Sequence, residues 1–258
     1  MTNLAGVFGH PGVAASYRHR PPYPAEVFDQ LERLIVDEPR TVLDLGAGEG
    51  ALARRLAPRV DRIDAVDISE AMIAAGQERP GGRHENLRWM LGAAESADLD
   101  GPYALVTAGA SLHWMDLDVT LGRLAAVMTP DAQFAVVEHG PRDQPWEDDL
   151  VSVIRRHSRN PNFDTTFSII DAMTDRGLYT VTGRTEIGPV PFEQSVDDYV
   201  EHLHSTSSLA REHMSAAEIE EFGNGVRRVV APYQHDGMLD LGVVAQLTWG
   251  RPVRTAAG

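Results

Sequence analysis

The sequence predicts an α/β fold, a doubly wound and mostly parallel sheet of seven strands with a helical cap. Three observations carry that reading. Strand-like and helix-like segments alternate from 41 to 140, the signature of a parallel sheet with crossover helices. The first of these strands breaks into a glycine-rich turn, "LGAGEG" (45–50), just before a helical stretch. Beyond 140 the alternation gives way to amphipathic helices and one long extended run, so the cap comes from the N-terminus and from an insertion after the fifth strand.

The elements follow in order. Pro24 suits the first turn of a helix over 25–37, whose Val27, Leu31, Leu34 and Ile35 share a face. The run 41–46 is short and apolar, with Val42, Leu43 and Leu45, as a buried strand is. Leu52, Leu56 and Val60 then recur at helical spacing, which places a helix over 50–58. "RIDAVDIS" (62–69) is the second strand, "EAMIAAGQER" a helix, 87–92 the third strand and 103–109 the fourth. A helix over 117–128 leads to the fifth strand, 132–140. Helices are expected over 145–159, 168–176, 196–213 and 215–233, with strands over 179–195 and 241–252. No linker interrupts the chain, so 1–258 is expected to be one domain: a lid and helix (1–40), a core (41–140), a cap (141–215) and a closing helix and strand (216–258).

Composition narrows the chemistry. The 258 residues are 43% hydrophobic and 24% charged, an ordinary globular balance. No apolar run is long enough to span a bilayer, and "MTNLAGVFGHPG" has neither the basic start nor the apolar stretch of a secretory signal, so the expected location is cytoplasmic. Cysteine is absent, which excludes disulfides, thiolate metal sites and thiol nucleophiles. Lysine is absent too: all 23 basic residues are arginine, which excludes Schiff-base chemistry and a Walker-type lysine. A net charge of −15 repels phosphate backbones, so the expected partner is a small molecule and neither nucleic acid nor a membrane. His202 and His204 stand two apart, on different faces of a helix, so no metal site is expected.

The candidate site lies at the carboxyl ends of the strands, where open α/β sheets bind ligands. Gly46, Gly48 and Gly50 follow the first strand and let a ligand approach the backbone beside a helix N-terminus. Asp67 ends the second strand, where a carboxylate can accept both hydroxyls of a ribose. Ala94 and Glu95 follow the third strand. Ser111, His113 and Trp114 follow the fourth. The set points to a nucleoside ligand. A dinucleotide site wants G-x-G-x-x-G, whereas this chain reads D-x-G-x-G-x-G from Asp44 to Gly50.

That variant resembles motif I of the class I S-adenosylmethionine-dependent methyltransferases. The resemblance continues in "AVDISEAMI" (65–73), "GAAESADL" (92–99) and "SLHWMD" (111–116), and more loosely in "ASYRHRPPYP" and "LTWGRP". It looks like the trans-aconitate-methyltransferase-like branch, which acts on small molecules, and it implies a seven-stranded Rossmann-like sheet. By this resemblance Gly46, Gly48 and Gly50 line S-adenosylmethionine, Asp44 helps hold its amino end and Asp67 holds its ribose. Ile68 and Met72 pack on the adenine, and the backbone near Ala94 reads the ring edge. Arg20 pairs with the cofactor carboxylate, while Tyr17, from a lid that includes Tyr23, covers the site of methyl transfer. The chain departs from the family in three places. Ala93 stands where an aspartate commonly bonds the adenine amine, leaving that task to Glu95 or the backbone. Tyr103 stands where an acidic residue commonly opens strand four, and "TPDAQ" (129–133) replaces a Pro-Gly-Gly turn.

The expected reaction is methyl transfer to an oxygen or nitrogen of a small molecule, such as a natural-product intermediate. Alignment supplies much of such a rate. A hydroxyl acceptor also needs a base, and His113 and His139 are the candidates, with Tyr17 beside the methyl group. Trp146 and Tyr199 fit a pocket wall or a helix core. Two other readings compete: an NAD-dependent Rossmann oxidoreductase, and a nucleoside-binding module without catalysis.

Overall fold

A computed structural model describes residues 16–253. The chain divides into two compact units. The first takes residues 23–139, 167–187 and the stretch from 245 onward. The second takes the chain up to 22, together with 140–166 and 188–244.

The elements run α1 (Ala25–Arg33), β1 (Thr41–Leu45), α2 (Ala53–Leu56), β2 (Arg62–Asp67), α3 (Glu70–Gln77), β3 (Leu87–Leu91), β4 (Tyr103–Gly109), α4 (Leu117–Val127), β5 (Met128–Pro141), α5 (Glu147–His157), α6 (Ile169–Asp175), β6 (Tyr179–Ser195), α7 (Val196–His204), α8 (Ala216–Val230) and β7 (Met238–Pro252). The seven strands form one sheet in the order β3-β2-β1-β4-β5-β7-β6. From β3 through β5 every pairing is parallel. The order reverses direction between β1 and β4, and that switch point is where a doubly wound sheet opens a crevice. Among the described residues no helix is long and apolar enough to cross a membrane.

In the first unit the sheet is covered on both faces, as a parallel sheet must be. One face packs Leu43, Leu45, Val106 and Phe134 against Leu121 and Leu124 of α4 and Ile170 and Met173 of α6. The other packs Val42, Ile63 and Leu105 against Val27, Phe28 and Leu31 of α1 and Leu56 of α2. β1 is buried at all five positions, so it reads as a continuous apolar run rather than an alternating one. The second unit has its own core, in which Trp146 and Leu150 meet Tyr199, Phe222, Val226 and Leu239. Trp146 and Tyr199 are core residues there, with the indole N–H donated to the Tyr199 hydroxyl (3.2 Å).

Some elements differ from expectation for local reasons. The helix expected over 196–213 ends at His204 and continues as two short 3-10 turns, Ser207–Leu209 and Arg211–His213. The Ser205 hydroxyl donates to the His202 carbonyl (2.6 Å), the kind of side-chain competition that ends helices. β5 begins at Met128, so "TPDAQ" is strand rather than turn. The expected helix 50–58 is a single α-turn, Ala53–Leu56, followed by a 3-10 turn, Ala57–Arg59. α6 belongs to the sheet unit through Ile169, Ile170 and Met173, and α8 to the second unit through Phe222 and Val226. Residues 1–15 of the expected lid, including Ala15 of "ASYRHRPPYP", lie outside the described residues.

Candidate functional site

The glycine turn is built from left-handed backbone. Gly46, Gly48 and Gly50 have φ of 61°, 58° and 72°, angles that L side chains rarely adopt. Alternate spacing therefore has a conformational cause: each second residue must turn the chain the wrong way. Two of the three are also pressed by neighbours. A Cβ on Gly46 would lie 2.5 Å from Ser111 Cβ, and one on Gly50 would lie 2.5 Å from Trp89 Cη2. Outside the turn, Glu49 takes both nitrogens of Arg79 (2.8 and 3.1 Å), and Arg54 Nε donates to the Glu49 carbonyl (2.9 Å).

Two carboxylates flank the turn. Asp67, at the end of β2, accepts the Gly48 N–H (2.7 Å) on one oxygen and the Ser69 N–H (2.8 Å) on the other. Burial raises its carboxyl above the ordinary range, and these two N–H groups pull it back. Asp44 sits inside β1, 1% exposed. It accepts the Thr107 hydroxyl (2.8 Å) and the backbone N–H of Ala53, the first residue of α2. Burial pushes it up to about 7, against the pull of those two donors. The Ser111 hydroxyl crosses from the end of β4 to the Leu45 carbonyl (2.7 Å), so it ties the loop after β4 to the residue preceding Gly46. Asp44, Gly46, Gly48, Asp67 and Ser111 are thus brought together at one end of the sheet.

The remaining sequence candidates fall in distinct surroundings. Ile68 is 69% exposed and offers apolar surface beside Asp67, whereas Met72, at 1%, is enclosed by the protein's own atoms. Glu95 accepts the Asp116 N–H (2.7 Å), and the Ala94 carbonyl accepts from Arg123 (2.7 Å). His113 is exposed, its ring 4.5 Å from that of Trp114. His139 lies flat on Tyr23, with ring centroids 3.7 Å apart and planes 28° from parallel. In the second unit the Arg20 guanidinium covers the Tyr17 ring (4.0 Å) and bonds the Ser205 hydroxyl (2.8 Å) and carbonyl (3.1 Å). His204 is buried with Nδ1 2.8 Å from the Leu209 carbonyl, and His202 stands edge-on to Tyr199. Among the described residues no three His, Asp or Glu side chains converge as a metal would require.

Sequence reasoning missed two contributors at this end of the sheet. Thr107 orients Asp44, but it is an interior strand residue whose facing partner depends on register. Trp89 packs under Gly50, and its indole N–H is held by the Gly82 carbonyl (2.8 Å). Tyr103 replaces the expected acid at the start of β4 by donating its hydroxyl to the buried Asp64 (2.7 Å).

The family model described as "Methyltransferase domain" matches residues 42–131, the span from β1 into β5 that builds this site. Residues 42–131 thus match a methyltransferase domain. Over 109 residues this methyltransferase domain is 33% identical to an uncharacterized methyltransferase of Mycobacterium bovis, covering 42% of this chain and 54% of that one. It is 28% identical over 123 residues to a malonyl-[acyl-carrier protein] O-methyltransferase of Halalkalibacterium halodurans, covering 45% of each. The chain spans about half the length of these curated relatives. In fold it matches the methyltransferase of Geobacter sulfurreducens solved with S-adenosylhomocysteine, with TM-score 0.56 and 16% identity over 98% of this chain and 99% of that one. The domain match takes away the basis for the oxidoreductase reading.

Proposed function

We propose that the chain binds S-adenosylmethionine over the glycine turn and moves its methyl group to an oxygen or nitrogen of a small molecule. One observation carries this: three left-handed glycines at alternate positions, the middle one donating its N–H to the Asp67 carboxylate. The turn ends in a carboxylate with lone pairs left for a ribose. The residues fit the cofactor. Gly46, Gly48 and Gly50 would lie against its methionine part, and Asp67 would accept from its sugar hydroxyls. Ile68 would cover one face of the adenine, and Met72 would back that wall from inside. Ala94, Glu95 and Ser111 would close the site from the third and fourth strands. Asp44 would balance the cofactor's positive charge from beneath the turn. Tyr17 and Arg20 keep the cofactor-binding roles that the family resemblance implies, Arg20 toward the carboxylate.

The cofactor supplies an already activated methyl group on sulfur. The protein's own work is then alignment, exclusion of water and, for a hydroxyl acceptor, removal of a proton by His113 or His139. The acidic net charge favours a cationic cofactor and disfavours nucleic acid as acceptor. The O-methyl transfer named for the Halalkalibacterium relative supports an oxygen acceptor. The trans-aconitate-like branch, on the motifs at 16–24 and 111–116, and natural-product acceptors complete the reading.

The test is radiolabelled methyl transfer from S-adenosylmethionine to a panel of small alcohols, phenols, carboxylic acids and amines. Transfer to at least one class supports the reading. Cofactor binding with no transfer to any class favours the non-catalytic module instead.

A further inference from the structure

The freedom that lets glycine turn left-handed also lets it leave that shape, so Gly46, Gly48 and Gly50 need something to hold them. Asp67 holds one side of the turn through the Gly48 N–H. The segment after α3, residues 79–82, holds the other side through three separate contacts that meet at Glu49 and Gly50. The Nε and Nη2 of Arg79 both donate to one oxygen of the Glu49 carboxylate (3.1 and 2.8 Å). The Pro80 carbonyl accepts Arg54 Nη1 (2.8 Å), and the same guanidinium donates its Nε–H to the Glu49 carbonyl (2.9 Å). The Gly82 carbonyl accepts the Trp89 indole N–H (2.8 Å), and that indole lies against Gly50 and Gly76, where a Cβ on either would come within 2.5 Å of Cη2. Gly76 brings α3 so near the turn that its own Cβ would lie 2.8 Å from the Glu49 carbonyl oxygen.

Glu49 is a charged residue between two glycines, yet its side chain is only 12% exposed. Arg79 occupies one carboxylate oxygen, and Arg54 Nη2 stands 3.7 Å from the other. Charge-assisted hydrogen bonds of this kind are directional as well as strong, so they fix the residue that accepts them.

We propose that Arg79, through Glu49, braces the glycine turn in its ligand-binding shape and so sets the affinity for S-adenosylmethionine. Both are positioning residues, acting through the backbone of the turn. The inference rests on the reading above, that the cofactor lies over this turn. Without the brace the turn populates its binding shape for only part of the time, and apparent affinity falls by that fraction. Bound cofactor restores the shape, so the loss falls on cofactor Kd and KM rather than on kcat.

The experiment titrates S-adenosylhomocysteine by calorimetry into the native chain, Arg79→Met, Glu49→Ala and the double variant. Arg59→Met is the control. Arg59 belongs to the same unit, is 32% exposed against 34% for Arg79, and bonds Asp29 (2.7 Å) and Glu32 (2.9 Å). Arg79→Met and Glu49→Ala should each weaken binding about tenfold, as for a turn in shape about a tenth of the time. The double variant should lose no more than about twofold beyond either, because both changes break one pair. Arg59→Met should stay within about twofold of the native chain. In the ligand-free chain the Gly48 and Gly50 amide resonances should move in Arg79→Met and Glu49→Ala and hold in Arg59→Met. Unchanged affinity in either single variant, fully additive losses in the double variant, or an equal loss in Arg59→Met overturns the proposal. If Glu49→Ala does not fold, Arg79→Met against Arg59→Met decides it. Absence of binding by the native chain defeats the broader reading instead.

Discussion

Two aspartates stand on neighbouring strands of one sheet, both sealed from solvent, and the chain treats them in opposite ways. Asp64 on β2 accepts two nitrogens of Arg88 (2.9 and 2.8 Å) and the Tyr103 hydroxyl (2.7 Å), with Arg62 Nε at 3.4 Å. Asp44 on β1 accepts a threonine hydroxyl and a backbone N–H, and among the described residues no arginine pairs with it. Register sets Leu43 beside Asp64 and Asp44 beside Ala65, so the two carboxylates face opposite sides of the sheet. Burying a carboxylate without a cation is costly, and burial pushes Asp44 up to about 7. The protein itself completes the charge balance at Asp64. At Asp44 the balance is incomplete next to the glycine turn, where the proposed ligand is a cation. A buried acid is therefore structural or ligand-directed according to what its own chain supplies.

The largest expected effect breaks the paired site. Asp64→Ala strands the Tyr103 hydroxyl in the interior and leaves a void, and should cost about 3 kcal/mol in chemical denaturation while S-adenosylhomocysteine affinity changes less than about twofold. A matching loss of affinity would mean that the two aspartates do not have separate roles.

The unpaired site should respond through pH. Its folded value lies above the ordinary 3.8, so the native state holds the proton more tightly than the unfolded chain between about 4 and 7. Stability tied to this proton is complete below that window and is lost as pH rises through it. Asp44→Asn removes the dependence. Relative to the native chain it should be close to neutral near pH 4 and more stable by a few kcal/mol at pH 8, yet bind S-adenosylmethionine less well. A constant difference across that range would contradict the assignment.

Smaller effects sharpen the contrast. Thr107→Val removes the hydroxyl that holds Asp44 down. It should cost about 1–2 kcal/mol and move the pH-dependent loss to higher pH. Tyr103→Phe removes one of several donors to Asp64 and should cost about 1 kcal/mol with no change in pH dependence. Burial and the neighbouring Asp64 already push that phenol well above its usual value, so it stays neutral and donates throughout.

Much of this was legible in the chain. The run Asp44–Gly50 announced its turn because left-handed backbone needs glycine at alternate positions, and each of the seven strands begins or ends within a residue of its predicted limits on at least one side. The rest depended on what no local pattern carries. Thr107 and Tyr103 matter because parallel register sets them opposite Asp44 and Asp64. The stack of Tyr23 on His139 joins residues more than a hundred positions apart. The helix expected to 213 stopped at 204 because a serine competes for its carbonyls, and α8 joined the second unit through a core that becomes visible only when Trp146, Tyr199 and Phe222 are assembled.

The most direct test is a calorimetric titration of S-adenosylhomocysteine into the native chain and into Asp67→Ala. The account predicts saturable one-to-one binding by the native chain and a loss of about 100-fold or more without the carboxylate. No binding by the native chain, or equal affinity in the two, would contradict it.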